Sequence, residues 1–323
     1  MAEKTEITTP LSQWTNAITS LVVSDFESNG IEFDEYSRKC AMAAMGSIFQ
    51  LAKTEGFDLK AIDRSNLRDV VGQCASLKLN PAAQPRECYF QTRKKKVGTD
   101  YVTVIEMGIE GDGNDAILRN FGQDVKRVYP CWIVKEGDIF TYPKRKGLLV
   151  EPPSWEEKGL SERMTRVVYP ILLNDNSVIY LIAERESVKV NLFAHVRNNL
   201  MNETFGICEN RYKATIEQKK QIDARKEEIY EALRRCETLD DMLACELART
   251  YISAAWLDTP ESMIVRKARN NAIKKYAKNY NIMARSAYME LDETYQAARL
   301  EAEEKANSEA FVEGEGVFMP ADK

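Results

Sequence analysis

Residues 67–123 read LRDVVGQCASLKLNPAAQPRECYFQTRKKKVGTDYVTVIEMGIEGDGNDAILRNFGQ, and their hydrophobic pattern changes twice. Apolar residues first recur at helical spacing from Leu67 to Leu77, and Asn80-Pro81 ends that pattern. Residues 87–93 and 101–107 are instead rich in β-branched and aromatic residues and flank a basic turn, as in a β-hairpin. The stretch therefore predicts a helix, a hairpin, a glycine-rich turn and a short helix over residues 115–121.

The rest of the chain places helices on both sides of further hairpins. Thr9-Pro10 and Asp34 are expected to begin two N-terminal helices, the second of which runs to about Gly56. Hairpins are predicted over residues 127–142 and 167–184, with residues 143–162 as a loop between them. Helices are then predicted over residues 212–235 and 240–256 and after Thr259-Pro260. This order predicts an α+β fold, a small antiparallel sheet of hairpins flanked by helices, with helical N- and C-terminal parts.

Three segments are expected. Residues 1–60 form a helical N-terminal region for packing between subunits. Residues 61–285 form an α+β core, with a helical insertion near residues 205–240. Residues 286–323 carry three bases and ten acids and few apolar residues, so a partly disordered acidic tail for partner proteins is predicted.

Composition removes several classes of protein. No run of about 18 apolar residues occurs, so no membrane-spanning segment is predicted. The N-terminus lacks a basic-then-apolar signal pattern, which favours the cytoplasm. Seven scattered cysteines without a C-x-x-C spacing argue against a disulfide framework and a thiolate zinc site. His195 is the single histidine, which excludes two-histidine metal centres and most hydrolytic triads.

Charge is segregated along the chain although the net charge is only −5. Residues 60–150 contain sixteen bases and eleven acids, and residues 262–285 contain seven bases and no acid. Seven like charges on about six helical turns repel one another unless an anion lies against them. The pattern predicts a polyanionic partner for part of the surface.

The turn at residues 110–115 allows two further interpretations. Residues 111–116 match the G-x-G-x-x-A fingerprint of dinucleotide-binding folds, but three acids would face the pyrophosphate and the preceding strand belongs to a hairpin. A tight turn that lets a helix pack closely on the sheet is predicted instead. The same acids, Glu110, Asp112 and Asp115, would serve a metal-dependent nuclease, so a bound Mg²⁺ stays open although the sequence requires no cofactor.

Two basic elements suit a phosphate backbone. Arg93, Lys94, Lys95 and Lys96 lie on the predicted hairpin beside Tyr89 and Phe90, of which strand alternation lets only one face a groove. On the helix after Thr259, the side chains predicted to share one face are those of Lys267, Asn271, Lys274 and Lys278, with Lys275 at its margin.

These motifs, in this order, resemble the RecT family of phage single-strand annealing recombinases. The corresponding segments are LKLNP at 77–81, ECYF at 87–90, GIEG at 108–111, LRNFG at 118–122 and CWIVKEGD at 131–138. A basic helix with a lysine followed by an aromatic residue, Lys275-Tyr276, ends the family's core in a similar way. Glu110 stands where the family commonly has a base, and the acidic residues 112–115 are atypical. The helical residues 212–235 resemble an insertion.

The resemblance implies an ATP-independent protein, without catalytic residues, that oligomerises along single-stranded DNA as a ring or helical filament and anneals it to a complementary strand. It also implies that the acidic tail serves a phage exonuclease or a host single-strand-binding protein. A phage structural or scaffolding oligomer and the metal-dependent nuclease are the alternatives. The residues expected to contact DNA are Tyr89, Arg93, Lys94, Lys95, Lys96, Arg119, Lys126, Arg127, Lys267, Lys274, Lys275 and Lys278.

Overall fold

A computed structural model describes residues 10–97, 100–209 and 214–291, and those residues have the predicted α+β fold. The helices are α1 (Pro10–Ser28), α2 (Glu35–Glu55), α3 (Arg64–Ser76), α4 (Gly111–Phe121), α5 (Lys189–Leu200), α6 (Ile216–Arg235), α7 (Leu239–Leu243), α8 (Glu246–Arg249), α9 (Ala254–Asp258), α10 (Pro260–Lys274) and α11 (Ile282–Leu291). The strands are β1 (Cys88–Val97), β2 (Asp100–Ile109), β3 (Val125–Val128), β4 (Trp132–Lys135), β5 (Ile139–Thr141), β6 (Lys144–Lys146), β7 (Leu149–Glu151), β8 (Ser154–Glu156), β9 (Met164–Leu173) and β10 (Val178–Glu184).

The described residues divide into two compact units, 10–188 with 259–288, and 189–258 with 289–291. Within the first unit, α1 and α2 pack with α3. The predicted insertion near 205–240 falls inside the second unit. Most of the predicted acidic tail, residues 292–323, lies outside the described residues, as does Thr9.

The N-terminal helices begin and end where local signals predict. Asp34 accepts a hydrogen bond of 2.7 Å from the Ser37 N–H, and Gly56 ends α2 in the left-handed conformation. Asp63 caps α3 in the same way through the Ser65 N–H. The apolar residues that predict α3, from Leu67 to Leu77, are buried, and so are Ala41, Ala44 and Ile48 of α2, which makes both helices core elements.

The β1–β2 hairpin has the predicted antiparallel pairing, but it is longer than predicted. Cys88, Ile105 and Met107 are buried on the face that meets α2 and α3. The Asn66 side chain brackets the backbone of Ile105, donating to its carbonyl at 3.0 Å and accepting from its N–H at 2.8 Å. These contacts fix one face of the hairpin to α3 and leave the other face to solvent.

A four-stranded antiparallel sheet is built around β9. β10 pairs with one edge of β9, while β3 and β4 pair in turn with the two halves of its other edge. The pairing of β9 with β10 confirms the predicted 167–184 hairpin. The hairpin predicted over residues 127–142 is wrong, because β4 pairs with the long β9 and not with β5. Glu136-Gly137 does turn the chain, but it turns into a separate arm.

The arm consists of residues 139–156, most of which the sequence predicts to be loop. β5 pairs with β8 and β6 pairs with β7, so the segment is one narrow two-stranded hairpin. Each strand has three residues and prolines lie between them, which explains why the sequence shows no strand pattern there. The second unit also differs from prediction, since residues 240–256 form three short helices and Thr238 caps the first of them with Asp241.

Candidate nucleic-acid interface

The predicted basic hairpin places its cations on two different faces. Strand alternation and the β1–β2 register put Tyr89, Arg93 and Lys95 on the solvent-facing side. Phe90 and Lys94 belong to the opposite side, which packs on α3 nearer the start of β1. Of the two aromatic residues considered, Tyr89 is thus the one on the outer face. The side chain of Lys96 and the tip at residues 98–99 lie outside the described residues.

The Tyr89 ring lies flat over Gly108 of β2. A Cβ atom at Gly108 would come within 2.2 Å of Cζ of Tyr89, so only glycine leaves room for the ring. The Arg86 guanidinium lies 5.8 Å from the centre of the same ring. The ring is thereby held against the hairpin with one cation beside it.

The hairpin cations have weak partners among the described residues. Arg93 pairs with Glu106 across the strands at 3.3 Å, and both side chains are exposed. Lys94 donates to the Thr103 hydroxyl at 2.8 Å. Among the described residues, Lys95 has no anionic partner. Because an exposed ion pair contributes only about 0–1 kcal/mol, a phosphate can replace Glu106 at little cost.

The basic helix α10 has a different environment from the one predicted. Nη2 of Arg269 lies 2.7 Å from Oδ2 of Asp115 and 3.1 Å from Oδ1 of Asp112. Arg266 lies 3.7 Å from Glu110. The anions that offset two of the seven cations therefore come from the start of α4 in the same chain. These two arginines therefore need no external polyanion to offset their charge.

This cluster also contains the buried Tyr169 of β9. Its hydroxyl donates to Asp115 at 2.9 Å and accepts from Nε of Arg269 at 2.8 Å. Burial raises the pKa of Asp115, an effect that Arg269 and Tyr169 partly offset. Burial opposes the charge of Arg269, but Tyr169 and Asp115 outweigh it and raise the arginine's pKa. The arrangement joins α10, α4 and β9 through one charged group.

The lysines at the end of α10 are not on one helix face, which corrects the prediction. The helix ends at Lys274, Lys275 follows it as the C-cap residue, and Lys278 lies beyond it. The Lys278 ammonium donates to the carbonyls of Ile273, Lys274 and Tyr276 at 2.8, 3.3 and 3.0 Å. Cations favour helix C-termini for this reason, so Lys278 has a capping role. Asn271 turns to Ser187, whose carbonyl it reaches at 3.0 Å.

The segment after α10 returns to the end of α4. The N–H of Gln123 donates to the Ala277 carbonyl at 3.0 Å, and that of Asn279 donates to the Phe121 carbonyl at 2.8 Å. The Tyr276 hydroxyl donates to the Gln123 carbonyl at 2.7 Å. The chain near Lys275 and Lys278 is thus held beside the start of β3.

The three weaker candidates are all at the surface. Arg119 pairs with the buried Glu87 at 3.2 Å, and Lys126 donates to Asn176 at 2.9 Å. Arg127 lies 5.0 Å from the centre of the Tyr129 ring. Arg119 has a carboxylate partner already, so Lys126 and Arg127 are the more available of the three.

Sequence reasoning missed a further basic segment in the arm. Lys144, Arg145 and Lys146 are all exposed on β6, and only Lys146 has an acidic partner among the described residues, Glu151 at 2.6 Å. The run of three cations is visible in the sequence. Its significance is hidden there because the segment has the composition of a loop, whereas the fold makes it one strand of a hairpin.

The glycine-rich turn is the first turn of α4, and β2 before it is antiparallel to β1, so the parallel unit of a dinucleotide-binding fold is not built here. A Cβ atom at Gly113 would lie 2.0 Å from the Glu87 carbonyl oxygen. The predicted close packing of helix on strand is therefore confirmed. Arginines accompany all three acids, because Arg86 pairs with Glu110 at 2.9 Å in addition to the contacts of α10.

Across residues 10–97, 100–209 and 214–291, no group of three or more His, Cys, Asp or Glu side chains is arranged to hold a metal ion. Within the same residues, none of the helices has the length and apolar character needed to cross a membrane. Comparisons of the chain with protein-family models, curated proteins and solved structures give no match.

Proposed function

We propose that this protein binds single-stranded DNA through the outer face of the β1–β2 hairpin and anneals it to a complementary strand without ATP. The proposal follows the resemblance to the RecT family and includes its homo-oligomeric ring or filament in the bacterial cytoplasm. It also includes recruitment of an exonuclease or a single-strand-binding protein by the acidic tail. Base pairing supplies the specificity and the driving force, so no catalytic group is required.

The observation that carries the proposal is the chemistry of the outer hairpin face. Arg93 and Lys95 are exposed on it, and Tyr89 lies on the same face between Gly108 and Arg86. Cations of this kind bind phosphates without regard to sequence, and an aromatic ring beside them offers a surface for a base. Contacts to the backbone alone leave base edges available to an incoming strand.

The proposal is tested with a double charge reversal, Arg93→Glu with Lys95→Glu. Affinity for a single-stranded oligonucleotide and the annealing rate are measured across a salt series. We expect both to fall, and the slope of log affinity against log salt to decrease by about one for each phosphate that the variant no longer binds.

The matched control is Lys220→Glu with Arg225→Glu on the exposed side of α6, which makes the same change in net charge. We expect its affinity and salt slope to stay near those of the unchanged protein. Equal losses of affinity in the two variants would reduce the effect to net charge, and the hairpin would have no particular role. Wild-type protein that shows no salt-dependent affinity for single strands would overturn the proposal itself.

A structural oligomer is the second candidate, and the arm favours it. Leu148 is fully exposed and Leu149 is 76% exposed at the end of the β6–β7 hairpin. Exposed apolar side chains of this size are typical of contacts with another protein surface. This candidate predicts stable oligomers without DNA, and light scattering measures their mass. The oligomers should dissociate when Leu148 and Leu149 are replaced by Ser. Adding single-stranded DNA should not change their mass.

A further inference from the structure

The four-stranded sheet has one face covered by helices and one that is not. On β9, Val167, Tyr169 and Ile171 point to the helical side, where the Tyr169 hydroxyl meets Arg269 of α10. Alternation sends Arg166, Val168, Pro170 and Leu172 to the other side. Val168 and Pro170 are buried there, as is Val134, which pairs with Arg166, so this face offers a ligand only the partly exposed side chains around them. Residues on neighbouring strands that pair with those four share this second face, which packs against neither α4 nor α10 and which we call the open face.

Aromatic residues are concentrated on the open face. Trp132 of β4 pairs with Val168, and Tyr180 of β10 pairs with Pro170. The N–H of Tyr129 donates to the Pro170 carbonyl at 3.1 Å, which puts Tyr129 in the row of Tyr180. The ring centres of Trp132 and Tyr180 are 6.2 Å apart. All three side chains are half-buried, so part of each ring faces solvent.

The arm adds a fourth ring at one end of this row. Trp155 of β8 stacks on Trp132 with centres 5.9 Å apart and planes inclined by 29°. Its indole N–H donates to Asp138 at 2.9 Å, which fixes the ring without using its face. The polar groups beyond this point are already paired, since Arg166 binds Glu184 at 3.1 Å and lies over the rings of Phe140 and Tyr142.

An exposed cation lies at the opposite end. Arg127 of β3 is aligned with Leu172 in the sheet register and lies over the Tyr129 ring at 5.0 Å. The only carboxylate that the pairing puts on the described part of the open face is Glu184, which Arg166 and the Tyr142 hydroxyl engage. The open face therefore combines aromatic surface with positive charge, the complement of unpaired bases on a phosphate backbone.

We propose that the open face binds the bases of single-stranded DNA, which stack on Tyr129, Trp132 and Tyr180 beside Trp155, while Arg127 contacts a phosphate. This inference rests on the proposed function and names a second part of its binding site. The ring centres of Trp132 and Tyr180 are 6.2 Å apart, whereas bases stacked in a duplex strand are about 3.4 Å apart. Bases on these two rings are therefore separated from one another.

This spacing has a consequence for annealing. A strand bound on the open face has unstacked bases, and the paired product, whose bases stack within the duplex, cannot occupy the rings. The open face then favours the single-stranded substrate over the annealed product. Stacking on a ring does not depend on which base is present, which suits a protein that must accept any sequence.

The test compares an oligo-dT strand with an abasic strand of the same length, which has the phosphates but no bases. We expect wild-type protein to bind oligo-dT more tightly, and Tyr180→Leu to lower that affinity roughly five- to hundredfold, the effect of removing one stacked base. Affinity for the abasic strand is expected to stay unchanged. The control is Tyr36→Leu, which alters an exposed tyrosine on α2 and should change neither affinity.

A second measurement uses unaltered protein and so does not depend on the folding of a variant. Oligo-dT is expected to quench the fluorescence of the stacked Trp132 and Trp155, and the abasic strand is not. Equal affinity for both strands with no quenching difference would overturn the open-face proposal and leave salt-dependent binding by the hairpin intact. Absence of binding to either strand would overturn the proposed function as well, so the two failures are distinguishable.

Discussion

Nη2 of Arg269 lies 2.7 Å from Oδ2 of Asp115, and this contact joins two segments that the chain separates by 154 positions. Each segment looks anomalous in the sequence alone, one because it is a run of cations and the other because it is a run of acids in a glycine-rich turn. In the fold Arg266 and Arg269, two of the seven cations, meet these acids, and the Tyr169 hydroxyl lies between Arg269 and Asp115. The acids of the turn thus have cationic partners within the chain, and a nucleotide or a metal ion is not needed to explain them.

Replacing Arg269 by Met should destabilise the protein. The change leaves Asp115, a largely buried carboxylate, without its cation, and hydrogen bonds to charged groups contribute about 1.5–3 kcal/mol each. We expect the free energy of unfolding, measured with urea, to fall by at least about 2 kcal/mol. Arg225→Met on the exposed side of α6 serves as the control and should change it by less than about 0.5 kcal/mol.

The same contact allows a sharper test by a double-mutant cycle. Asp115→Asn combined with Arg269→Met should cost less than the two single changes added together, because each single change already removes the shared interaction. Strict additivity would show that the two residues do not interact in solution. A gain of DNA cleavage in either variant is not expected.

Gly113→Ala should be strongly unfavourable, whereas Gly46→Ala should be favourable. A Cβ atom at Gly113 would lie 2.0 Å from the Glu87 carbonyl oxygen, so α4 must move away from β1. No atom lies within 4 Å of the corresponding position at Gly46 in α2, where alanine gains about 0.5–1 kcal/mol from the helix. Opposite shifts of the melting temperature are therefore expected. A stable Gly113→Ala protein would contradict the close packing of α4 on β1.

The sequence predicts helix ends, which depend on neighbouring residues, but it does not identify contacts between residues that are distant in the chain. Asp34 and Gly56 predict the two ends of α2 because a cap contacts residues within one turn of itself. The sequence predicts the close approach at Gly113 only in kind, as tight packing of a helix on the sheet. That Arg269 is the partner of Asp115 depends on tertiary folding, and no local pattern encodes it.

The arm shows a second limit of prediction. Its strands are too short to display an alternating pattern, and the four residues of β4 do not by themselves identify its partner. In the structure β4 pairs with β9, a longer strand that also pairs with β3 and β10. The aromatic open face is a product of that choice, so its residues could not be grouped from their sequence positions.

The attachment of the arm is expected to weaken in acid. Asp138 accepts hydrogen bonds from the Lys158 and Lys135 N–H groups and from the Trp155 indole, and these lower its pKa to about 2, the Lys158 bond most. Because the folded pKa lies below the ordinary value, the contribution to stability is complete above about pH 4 and is lost as the pH falls toward 2.

The comparison of wild-type protein with Asp138→Asn checks this expectation. The amide cannot become charged, so the difference between the two urea midpoints should be largest above about pH 4 and should narrow as the pH approaches 2. A difference that stays constant with pH would mean that Asp138 is not the titrating group.

Replacing Lys278 distinguishes a structural role of its side chain from a contact with DNA. Its ammonium donates to three carbonyls at the end of α10, so Lys278→Met should lower the free energy of unfolding by about 1 kcal/mol, the usual scale of a hydrogen bond or cap. Lys275→Met, one residue after the same helix, should have little effect on stability.

The two lysines are then compared for DNA binding. If Lys278 acts as a cap, its replacement leaves the salt slope of DNA affinity unchanged once the protein is folded, because the ammonium binds no phosphate. If Lys278→Met lowers the salt slope by about one without changing stability, then Lys278 is a phosphate ligand. Its ammonium would then leave the three carbonyls when DNA binds. Arg68→Met, a surface arginine paired with Asp69 on α3, controls for the removal of one positive charge.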